Sequence, residues 1–368
     1  MSKPLFFYGT LRHLLLLEVV LGRAPAPVCI RPAVLSGYAA LGVAEGPFPM
    51  LVSQEGARAP GIVVADLNAA DLARLDFYEG GFGCDLVDVV LEDGTSAQVY
   101  LCALDRWQAQ GAWDFDRWQA EWAAMSCHAA EEVLGYFGTR SRAEVAAMFP
   151  QIRSRAWSKV LGAERRAGQD VLDGRVDVIR KTNAYAGYFT LDEVTLRSER
   201  FDGTMSQTLE RSYLVGGDAS LVLPYDPIRD RVLLVEQMRM GPLGRGDPEI
   251  WHLEPVAGRI DPGETPEHAA LREAQEEAGL DLRRLEVVAK GYASPGDSTT
   301  YFHIFVGLTD LPDDANGIGG LEAEAEDIRS RLVSFDEFMA MAEGQAIANT
   351  PLALLAYWLA YHRSRLRS

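Results

Sequence analysis

Cysteine is scarce in this chain of 368 residues, and the cysteines present are poorly spaced for metal binding. The four cysteines are Cys29, Cys84, Cys102 and Cys127, and no pair has the CxxC spacing typical of zinc sites. This pattern argues against both a zinc site and a disulfide framework. We expect all four to be small, buried, apolar residues in a reducing compartment.

Positive charge is also in short supply. The chain has 35 lysines and arginines against 53 aspartates and glutamates, which gives a formal net charge of −18. A surface of this sign repels polyanions overall, so the composition argues against a broad face for nucleic acid or for an anionic membrane. A phosphate-bearing ligand would have to be bound by local arginines and a metal ion.

Long hydrophobic runs are absent as well. The longest apolar run near the N-terminus, Leu14 to Leu17, ends at Glu18. It is too short for a signal sequence or a membrane span. We therefore expect a cytoplasmic protein with no membrane partner.

The length and the 48% hydrophobic content allow two buried cores rather than one. Short β-like runs fill the first segment, and helical patterns follow from about Trp107 to Arg166. A polar, glycine-containing stretch at 165–170 is the predicted domain boundary. The predicted division is a strand-rich domain at 1–106, a helical connector at 107–166 and a second domain at 167–368.

The stretch from Gly258 to Leu280, GRIDPGETPEHAALREAQEEAGL, predicts a helix with an acidic face. Thr265 is a good N-cap, Pro266 fits the first helical position, and Gly279 is a natural C-terminal stop. Helical spacing then predicts two opposite faces. The apolar face comprises Leu271, Ala274 and Ala278, and the polar face comprises Glu273, Glu276 and Glu277.

The acidic face indicates a cation site. Glu273 and Glu277 lie four residues apart, so in a bare helix they repel by roughly 0.2–0.5 kcal/mol, a cost that a bound cation would reverse. Oxygen ligands favour Mg2+ or Mn2+ over zinc. A solvated acidic face is the alternative, but it does not account for Gly258, Glu264 and Arg272 at their fixed distances.

These fixed positions are those of the Nudix box, and the stretch resembles the Nudix hydrolases. That family cleaves pyrophosphates that link a nucleoside to another group, with a divalent metal. The resemblance implies an internal pair of Glu264 and Arg272 that orients the loop and the helix. The metal ligands that it implies are Glu273 and Glu277, with Glu276 assisting, and the backbone carbonyl of Ala257.

The sequence around the box resembles the ADP-ribose pyrophosphatase branch. Pro295, followed by Gly296, lies sixteen residues after Gly279, the spacing by which those enzymes are distinguished. Arg239 matches an arginine that contacts the diphosphate in that branch. We therefore predict hydrolysis of ADP-ribose to AMP and ribose 5-phosphate. GDP-mannose or another nucleoside diphosphate sugar is the alternative substrate.

Two positions depart from that branch. The run from Asp297 to Thr300 stands where many relatives place a glutamate, and Gly216 stands where many carry an arginine. Both changes affect contacts to the ribose and the base. Arg211, nearby in sequence, is a candidate replacement cation.

The general base implied by the resemblance lies outside the box. The acidic loop at 320–329 aligns Glu324 with that base, and Glu322 and Glu326 are the alternatives. A module that senses a nucleotide sugar without cleaving it is the alternative from another functional class. The complete set of Nudix-box residues argues against a sensor, because a protein that only binds a nucleotide sugar does not need all of them.

Two motifs in the first half, FYGTLR at 7–12 and LDFYEG at 75–80, resemble the gamma-glutamylcyclotransferase-like, AIG2-like family. The resemblance covers residues 4 to about 103. It implies that Glu79 moves a proton while 5-oxoproline forms. A binding or interaction module of the same fold is the alternative. The residues whose backbone would meet the substrate are Tyr8, Gly9, Thr10 and Leu11.

The predicted fold class is α+β. It comprises an AIG2-like mixed β-barrel, a helical connector and a C-terminal Nudix α/β/α sandwich. Related ADP-ribose hydrolases are homodimers with shared sites, so the resemblance implies a homodimer whose ligand is a small nucleoside diphosphate sugar rather than nucleic acid. Some relatives with the same fusion are called tellurite-resistance proteins.

Overall fold

A computed structural model of the chain describes residues 3–26, 29–80, 83–103, 107–164, 174–320 and 327–368. The chain divides into two compact units, Met1–Asp173 and Gly174–Ser368. Helices and strands are mixed in both units, so the predicted α+β class is confirmed. None of the helices in the described ranges is long and apolar enough to cross a membrane.

The first unit contains a six-stranded sheet. Its strands are β1 (Leu5–Phe7), β2 (Ile30–Val43), β3 (Gly46–Val64), β4 (Cys84–Val90), β5 (Ser96–Cys102) and β6 (Ala109–Ala112). The strand order is β4-β5-β1-β3-β2-β6. The sheet is mixed, as predicted, because β1 pairs with β5 in parallel and the other pairs are antiparallel. Among the residues that the structure describes, β4 and β6 do not pair, so no closed barrel is formed by these strands.

Helices cover the sheet of the first unit. They are a 3-10 turn (Thr10–Arg12), α1 (Leu14–Leu21), α2 (Ala69–Gly80), α3 (Phe115–Gly135), α4 (Arg142–Ala147) and α5 (Phe149–Glu164). Helix α3 packs against α1, α2 and α5. The segment at 107–166, predicted as a helical connector, begins with β6 in the sheet and lies within the first compact unit.

Cys84 and Cys102 form a disulfide, so our expectation of four free cysteines is wrong for this pair. They are directly opposite each other in the antiparallel pair of β4 and β5. The hairpin register brings them together, and no short cysteine motif in the sequence reveals that register. Cys29 and Cys127 are free and half-buried.

The second unit contains two sheets. The smaller sheet has the order β7-β8-β9, with β7 (Val176–Ala186), β8 (Thr190–Ser198) and β9 (Leu209–Val215). The eight-stranded sheet comprises β10 (Ala219–Asp226), β11 (Arg231–Met238), β12 (Trp251–Glu254), β13 (Val256–Arg259), β14 (Arg284–Tyr292), β15 (Tyr301–Leu308), β16 (Ile318–Gly319) and β17 (Ile328–Ser334). The helices are α6 (Met240–Arg245), α7 (Pro266–Ala278), α8 (Phe335–Glu343) and α9 (Thr350–Leu366).

The larger sheet lies between two helical layers. Side chains alternate between the faces of a strand, so Val222 and Leu223 of β10 point in opposite directions. Val222 packs with Ala274 of α7 in one core. Leu223 packs with Phe338 of α8 and Leu355 of α9 in the other. The predicted sandwich is therefore present, and α7 is the helix that meets the sheet beside β13.

Candidate functional sites

Helix α7 begins and ends where its caps predict. The side chain of Thr265 accepts a hydrogen bond from the amide of His268, and Pro266 occupies the first turn. Gly279 ends the helix in the left-handed region, with φ of 62°. Glycine adopts this conformation without the steric cost that a Cβ would bring.

The buried face of α7 differs from the one that we predicted. Leu271 is 38% exposed, whereas Ala270 and Ala274 are fully buried. Small residues let the helix lie close to β10 and β13, whereas a leucine side chain would hold it away. Glu273 and Glu277 consequently lie on the buried side rather than opposite it, with exposed fractions of 9% and 2%.

The two buried carboxylates meet the backbone of β13. Oε2 of Glu277 accepts a hydrogen bond from the amide of Ala257 at 3.2 Å. A Cβ at Gly258 would lie 1.8 Å from Oε1 of Glu273, so only glycine allows the carboxylate to approach the strand. Three of the residues predicted to bind metal, Ala257, Glu273 and Glu277, are thus brought together.

Arg272 links the carboxylates of the box. Its guanidinium donates hydrogen bonds to Glu264 at 3.0 Å, to Glu273 at 2.7 Å and to Glu276 at 2.9 Å. Burial lowers the pKa of Arg272, but the hydrogen bond to Glu264 and the charge of Glu273 together raise it above its ordinary value. Glu264 also accepts from the amide of Asp261 at 3.1 Å, which fixes the loop before the helix.

The donor set fits a hard divalent cation. Glu273 and Glu277 supply carboxylate oxygens four residues apart on one helix face, and such oxygens favour Mg2+ or Mn2+ over zinc. Within the described ranges, no group of three or more His, Cys, Asp and Glu side chains is arranged to hold a metal ion. The predicted base Glu324 and its alternatives Glu322 and Glu326 lie outside the residues that the structure describes.

Arg239 directly follows β11 and forms an ion pair with Glu254 at the end of β12. Its Nε lies 3.0 Å from Oε2 of Glu254, and 40% of the arginine side chain is exposed. Sequence analysis found Arg239 and missed Glu254. Glu254 is an acidic residue at the end of β12. Its position near Arg239 becomes apparent only once β11 and β12 are known to pair.

The loop with Pro295 and Gly296 is exposed and attached to β9. The amide of Leu214 donates to the carbonyl of Asp297 at 2.8 Å, and the amide of Thr299 donates to the carbonyl of Leu214 at 3.0 Å. Strand β9 thus fixes the position of the loop beside the larger sheet. Sequence spacing identified this loop, but not the strand that holds it.

The two departures from the pyrophosphatase pattern occur at the same point in space. The amide of Gly216 donates to Oγ1 of Thr299 at 2.9 Å. A Cβ at Gly216 would lie 2.2 Å from Oγ1 of Thr300, so the threonines take the place of a side chain at 216. Arg211, the candidate replacement cation, lies exposed on β9 and donates to the carbonyl of Glu210.

A second candidate site is a cavity of ≈110 Å³ in the first unit. All the residues predicted for this half of the chain line the cavity, namely Tyr8, Gly9, Thr10, Leu11 and Glu79. Aromatic side chains supply much of the remaining wall, among them Phe48, Tyr78, Tyr100, Trp107 and Phe149. The two motifs, nearly seventy residues apart in sequence, therefore meet at one cavity.

Glu79 lies near the end of α2, where it is half-buried and lines this cavity. Burial raises its pKa to about 7. None of the described residues donates a hydrogen bond to it. Burial, and then the charge of Glu79, raise the pKa values of Tyr8 and Tyr78. A carboxyl group that titrates near neutrality can both take and return a proton.

Comparison with known proteins agrees with this geometry. The NUDIX domain family matches residues 217–354. The ADP-ribose pyrophosphatase of Escherichia coli (strain K12) is 38% identical over 193 residues, which are 52% of this chain and 91% of that protein. The chain belongs to the Nudix family. The box identified from the sequence is therefore confirmed as part of a Nudix domain.

Further relatives of the Nudix unit carry two different names. The ADP-ribose pyrophosphatase of Haemophilus influenzae is 36% identical over 197 residues, 52% of this chain and 89% of that protein. The GDP-mannose pyrophosphatase of Cronobacter sakazakii is 32% identical over 149 residues, 40% of this chain and 77% of that protein. The first unit matches the gamma-glutamyl cyclotransferase, AIG2-like family over residues 5–118, so that resemblance is confirmed too.

Proposed function

We propose that the Nudix unit hydrolyses the pyrophosphate bond of ADP-ribose and releases AMP and ribose 5-phosphate. The observation that carries the proposal is the pair of carboxylates, Glu273 and Glu277, buried against β13 and oriented by Arg272. The two ADP-ribose pyrophosphatases match this chain at 38% and 36% identity, whereas the GDP-mannose pyrophosphatase of Cronobacter sakazakii matches it at 32%.

Hydrolysis of a diphosphate needs a water molecule that loses a proton and positive charge near the phosphate oxygens. Glu273 and Glu277 would hold a divalent cation, Mg2+ or Mn2+, with Glu276 and the carbonyl of Ala257 completing the ligands. When bound, the cation polarises the phosphoryl group and favours the deprotonated water. Arg272 keeps the carboxylates in position through its hydrogen bonds.

Two residues outside the box complete the proposed mechanism. Arg239, oriented by Glu254, presents its exposed guanidinium to the diphosphate, where planar donors suit phosphate oxygens. Glu324 accepts the proton of the attacking water as general base.

We also propose that the chain forms a homodimer. The smaller sheet of the Nudix unit leaves large apolar side chains in solvent, and apolar patches of this kind mark interaction surfaces. Their exposed fractions exceed half of each side chain. The residues concerned are Val176, Val178, Ile179 and Tyr185.

The decisive assay compares ADP-ribose, GDP-mannose and ADP-glucose side by side, with and without Mg2+, and measures the release of the nucleoside monophosphate. We expect the highest kcat/KM with ADP-ribose and no release without the metal. A higher kcat/KM with GDP-mannose than with ADP-ribose would show that GDP-mannose is the preferred substrate. Binding without release from any of the three would indicate a sensor.

For the first unit we propose cyclotransferase chemistry, because Glu79 and the Tyr8–Leu11 turn line one cavity and the pKa of Glu79 is about 7. The α-amine of a γ-glutamyl substrate attacks its own γ-carbonyl carbon. Glu79 takes the proton from that amine and gives it to the leaving amine as the old C–N bond breaks. The product is 5-oxoproline.

Release of 5-oxoproline from γ-glutamyl peptides tests this second activity. We expect Glu79→Gln to lower the release by on the order of 100-fold or more, since general acid–base catalysis contributes about that much. Asp85→Asn, an exposed acidic residue on β4, is the matched control and keeps the wild-type rate. If the wild type releases none, the first unit is a binding module.

A further inference from the structure

The larger sheet of the Nudix unit is split at one end. Strands β10 and β11 pair at Tyr225 with Val232 and at Asp226 with Arg231. Farther along, β13 takes the place beside β10, and β12 takes the place beside β11. Among the described residues, β12 and β13 do not pair with each other, so they diverge from Pro255 like the arms of a V. A ligand can enter between these two arms.

Two arginines flank the open end of the V. Arg239 directly follows Met238, which pairs with Trp251 at the start of β12. Arg259 is the last residue of β13 and pairs with Ala219. The first arginine already has a part in the proposed mechanism, and the second has none.

The backbone of Arg259 is tied to the predicted metal site. Its carbonyl accepts a hydrogen bond from Arg272 at 2.9 Å. Its neighbour Gly258 lies beside the carboxylate of Glu273, and Ala257, a predicted ligand through its carbonyl, is two residues away. The side chain of Arg259 therefore begins next to the place where a metal-bound diphosphate would lie.

An aromatic ring orients the side chain of Arg259 and leaves its hydrogen-bond donors unused. The guanidinium carbon lies 4.4 Å from the ring centroid of Tyr188, in the turn between β7 and β8. A guanidinium that stacks uses its flat face, so the N–H groups at its edge stay available. Within the described ranges, no residue accepts a hydrogen bond from this guanidinium or forms an ion pair with it. Arg259 is also only half-buried, so its donors are open to an anionic ligand.

We propose that Arg259 is a second diphosphate-binding cation, which binds the phosphoryl group on the β13 side of the V while Arg239 binds the one on the β11 side. This inference rests on the proposed hydrolysis of ADP-ribose. Side chains alternate along a strand, so Glu273 approaches the V from the face of Gly258, and Arg259 approaches from the other face. A diphosphate between the arms then meets the metal ligands on one face and a cation on the other.

The second cation would act on the charge that hydrolysis creates. Water attacks one phosphorus, the bond from that phosphorus to the bridging oxygen breaks, and the electron pair stays on the departing phosphate. A planar guanidinium stabilises the charged oxygens through charge-assisted hydrogen bonds. The net charge of −18 makes such a local cation more important, because the chain as a whole repels a diphosphate.

Steady-state hydrolysis of ADP-ribose by Arg259→Met measures this contribution. We expect kcat/KM to fall by about 10- to 100-fold, the usual effect of a charged hydrogen bond. The Mg2+ concentration for half-maximal rate should stay that of the wild type, and a rise in it would assign Arg259 to the architecture of the loop instead. Arg259→Lys should recover part of the loss, because it keeps the charge without the planar donors.

Arg283→Met is the matched control and should keep wild-type kinetics. Arg283 is an exposed arginine whose amide donates to the carbonyl of Leu308. Leu308 pairs with Tyr225, whereas Arg259 pairs with Ala219, so the two arginines lie at opposite ends of β10.

Two fragments of the substrate separate a contact to the diphosphate from a contact to the base. Methylenediphosphonate carries two phosphoryl groups without a base, and adenosine carries the base without a phosphoryl group. Calorimetry with Mg2+ in excess gives both dissociation constants. Arg259→Met should weaken methylenediphosphonate by about 10-fold or more and leave adenosine unchanged. Equal affinity of variant and wild type for methylenediphosphonate, or a loss confined to adenosine, overturns the role of Arg259.

The two proposals can fail separately. If ADP-ribose is not hydrolysed but Arg259→Met still weakens methylenediphosphonate, the substrate assignment is wrong and Arg259 stands as a diphosphate-binding residue. If ADP-ribose is hydrolysed and the variant matches the wild type in both assays, the proposed function stands and the role of Arg259 is disproved. If ADP-ribose is not hydrolysed and methylenediphosphonate does not bind the wild type at millimolar concentration, both proposals fall.

Discussion

Replacing Glu277 by glutamine should lower kcat/KM for ADP-ribose by about 100- to 1000-fold, because a metal ion contributes several kcal/mol to the stabilisation of a phosphoryl transition state. Glutamine keeps the shape of the side chain but removes the negative charge that would hold the cation. The buried carboxylate of Glu277 lies against β13, so no other side chain moves easily into its place. Glu273→Gln should have an effect of similar size.

Steady-state rates over a titration with Mg2+ measure this effect, and the metal concentration for half-maximal rate should rise in both variants. Glu267→Gln on the first turn of α7 is the matched control and should leave the rate and the metal requirement unchanged. A wild-type rate in Glu277→Gln at low metal concentration would show that the cation is held elsewhere.

Glu324→Gln provides the contrast to the ligand variants. If Glu324 is the general base, its loss lowers the catalytic rate while the metal concentration for half-maximal rate stays that of the wild type. Unchanged turnover would remove Glu324 from the mechanism and direct attention to Glu322 and Glu326.

Glu79→Gln should change the free energy of unfolding of the first unit in a pH-dependent way. Relative to the wild type, the variant should gain about 3 kcal/mol of stability between pH 4.5 and alkaline pH. The pKa of Glu79 is about 7 in the folded chain and 4.5 in an ordinary setting. Between these values the unfolded chain ionises first, so the wild type loses stability as the pH rises and loses no more above pH 7. Glutamine does not titrate, so the free energy of unfolding of the variant does not fall with pH in this way.

Urea unfolding at pH 5.5, 6.5 and 8, followed by tryptophan fluorescence, measures the difference in free energy of unfolding between the variant and the wild type. Most of the tryptophans lie in the first unit, so the signal reports mainly on it. Asp85→Asn serves as the control for removing a negative charge from an exposed position. Parallel pH profiles for Glu79→Gln and the wild type would contradict a raised pKa.

Local signals in the sequence predicted the helix of the box well. Thr265, Pro266 and Gly279 act on the turns next to them, so their positions alone fix where α7 begins and ends. Ala274 and Ala278 of the predicted apolar face pack in the core, but Leu271 was placed there wrongly, because hydrophobicity ranks it above Ala270. The sheet instead accepts the smaller side chain, since close approach of helix and strand decides the packing.

Contacts between distant segments were not predictable from a single sequence. The ion pair of Arg239 with Glu254 and the disulfide of Cys84 with Cys102 both depend on strand register. Neither leaves a fixed spacing in the chain. Motif spacing worked for Glu264 and Arg272, because only the end of one loop and about two helical turns separate them.

The Cys84–Cys102 disulfide lies in the wall of the cavity, and no cysteine occurs in the sequence beyond Cys127. Thiol–disulfide exchange can therefore break a disulfide in the first unit, whereas the Nudix unit contains no cysteine. A reductant would remove the covalent link between β4 and β5 in the cavity wall and leave the covalent structure of the Nudix unit untouched. The fusion thus confines disulfide chemistry to the unit that contains the cavity.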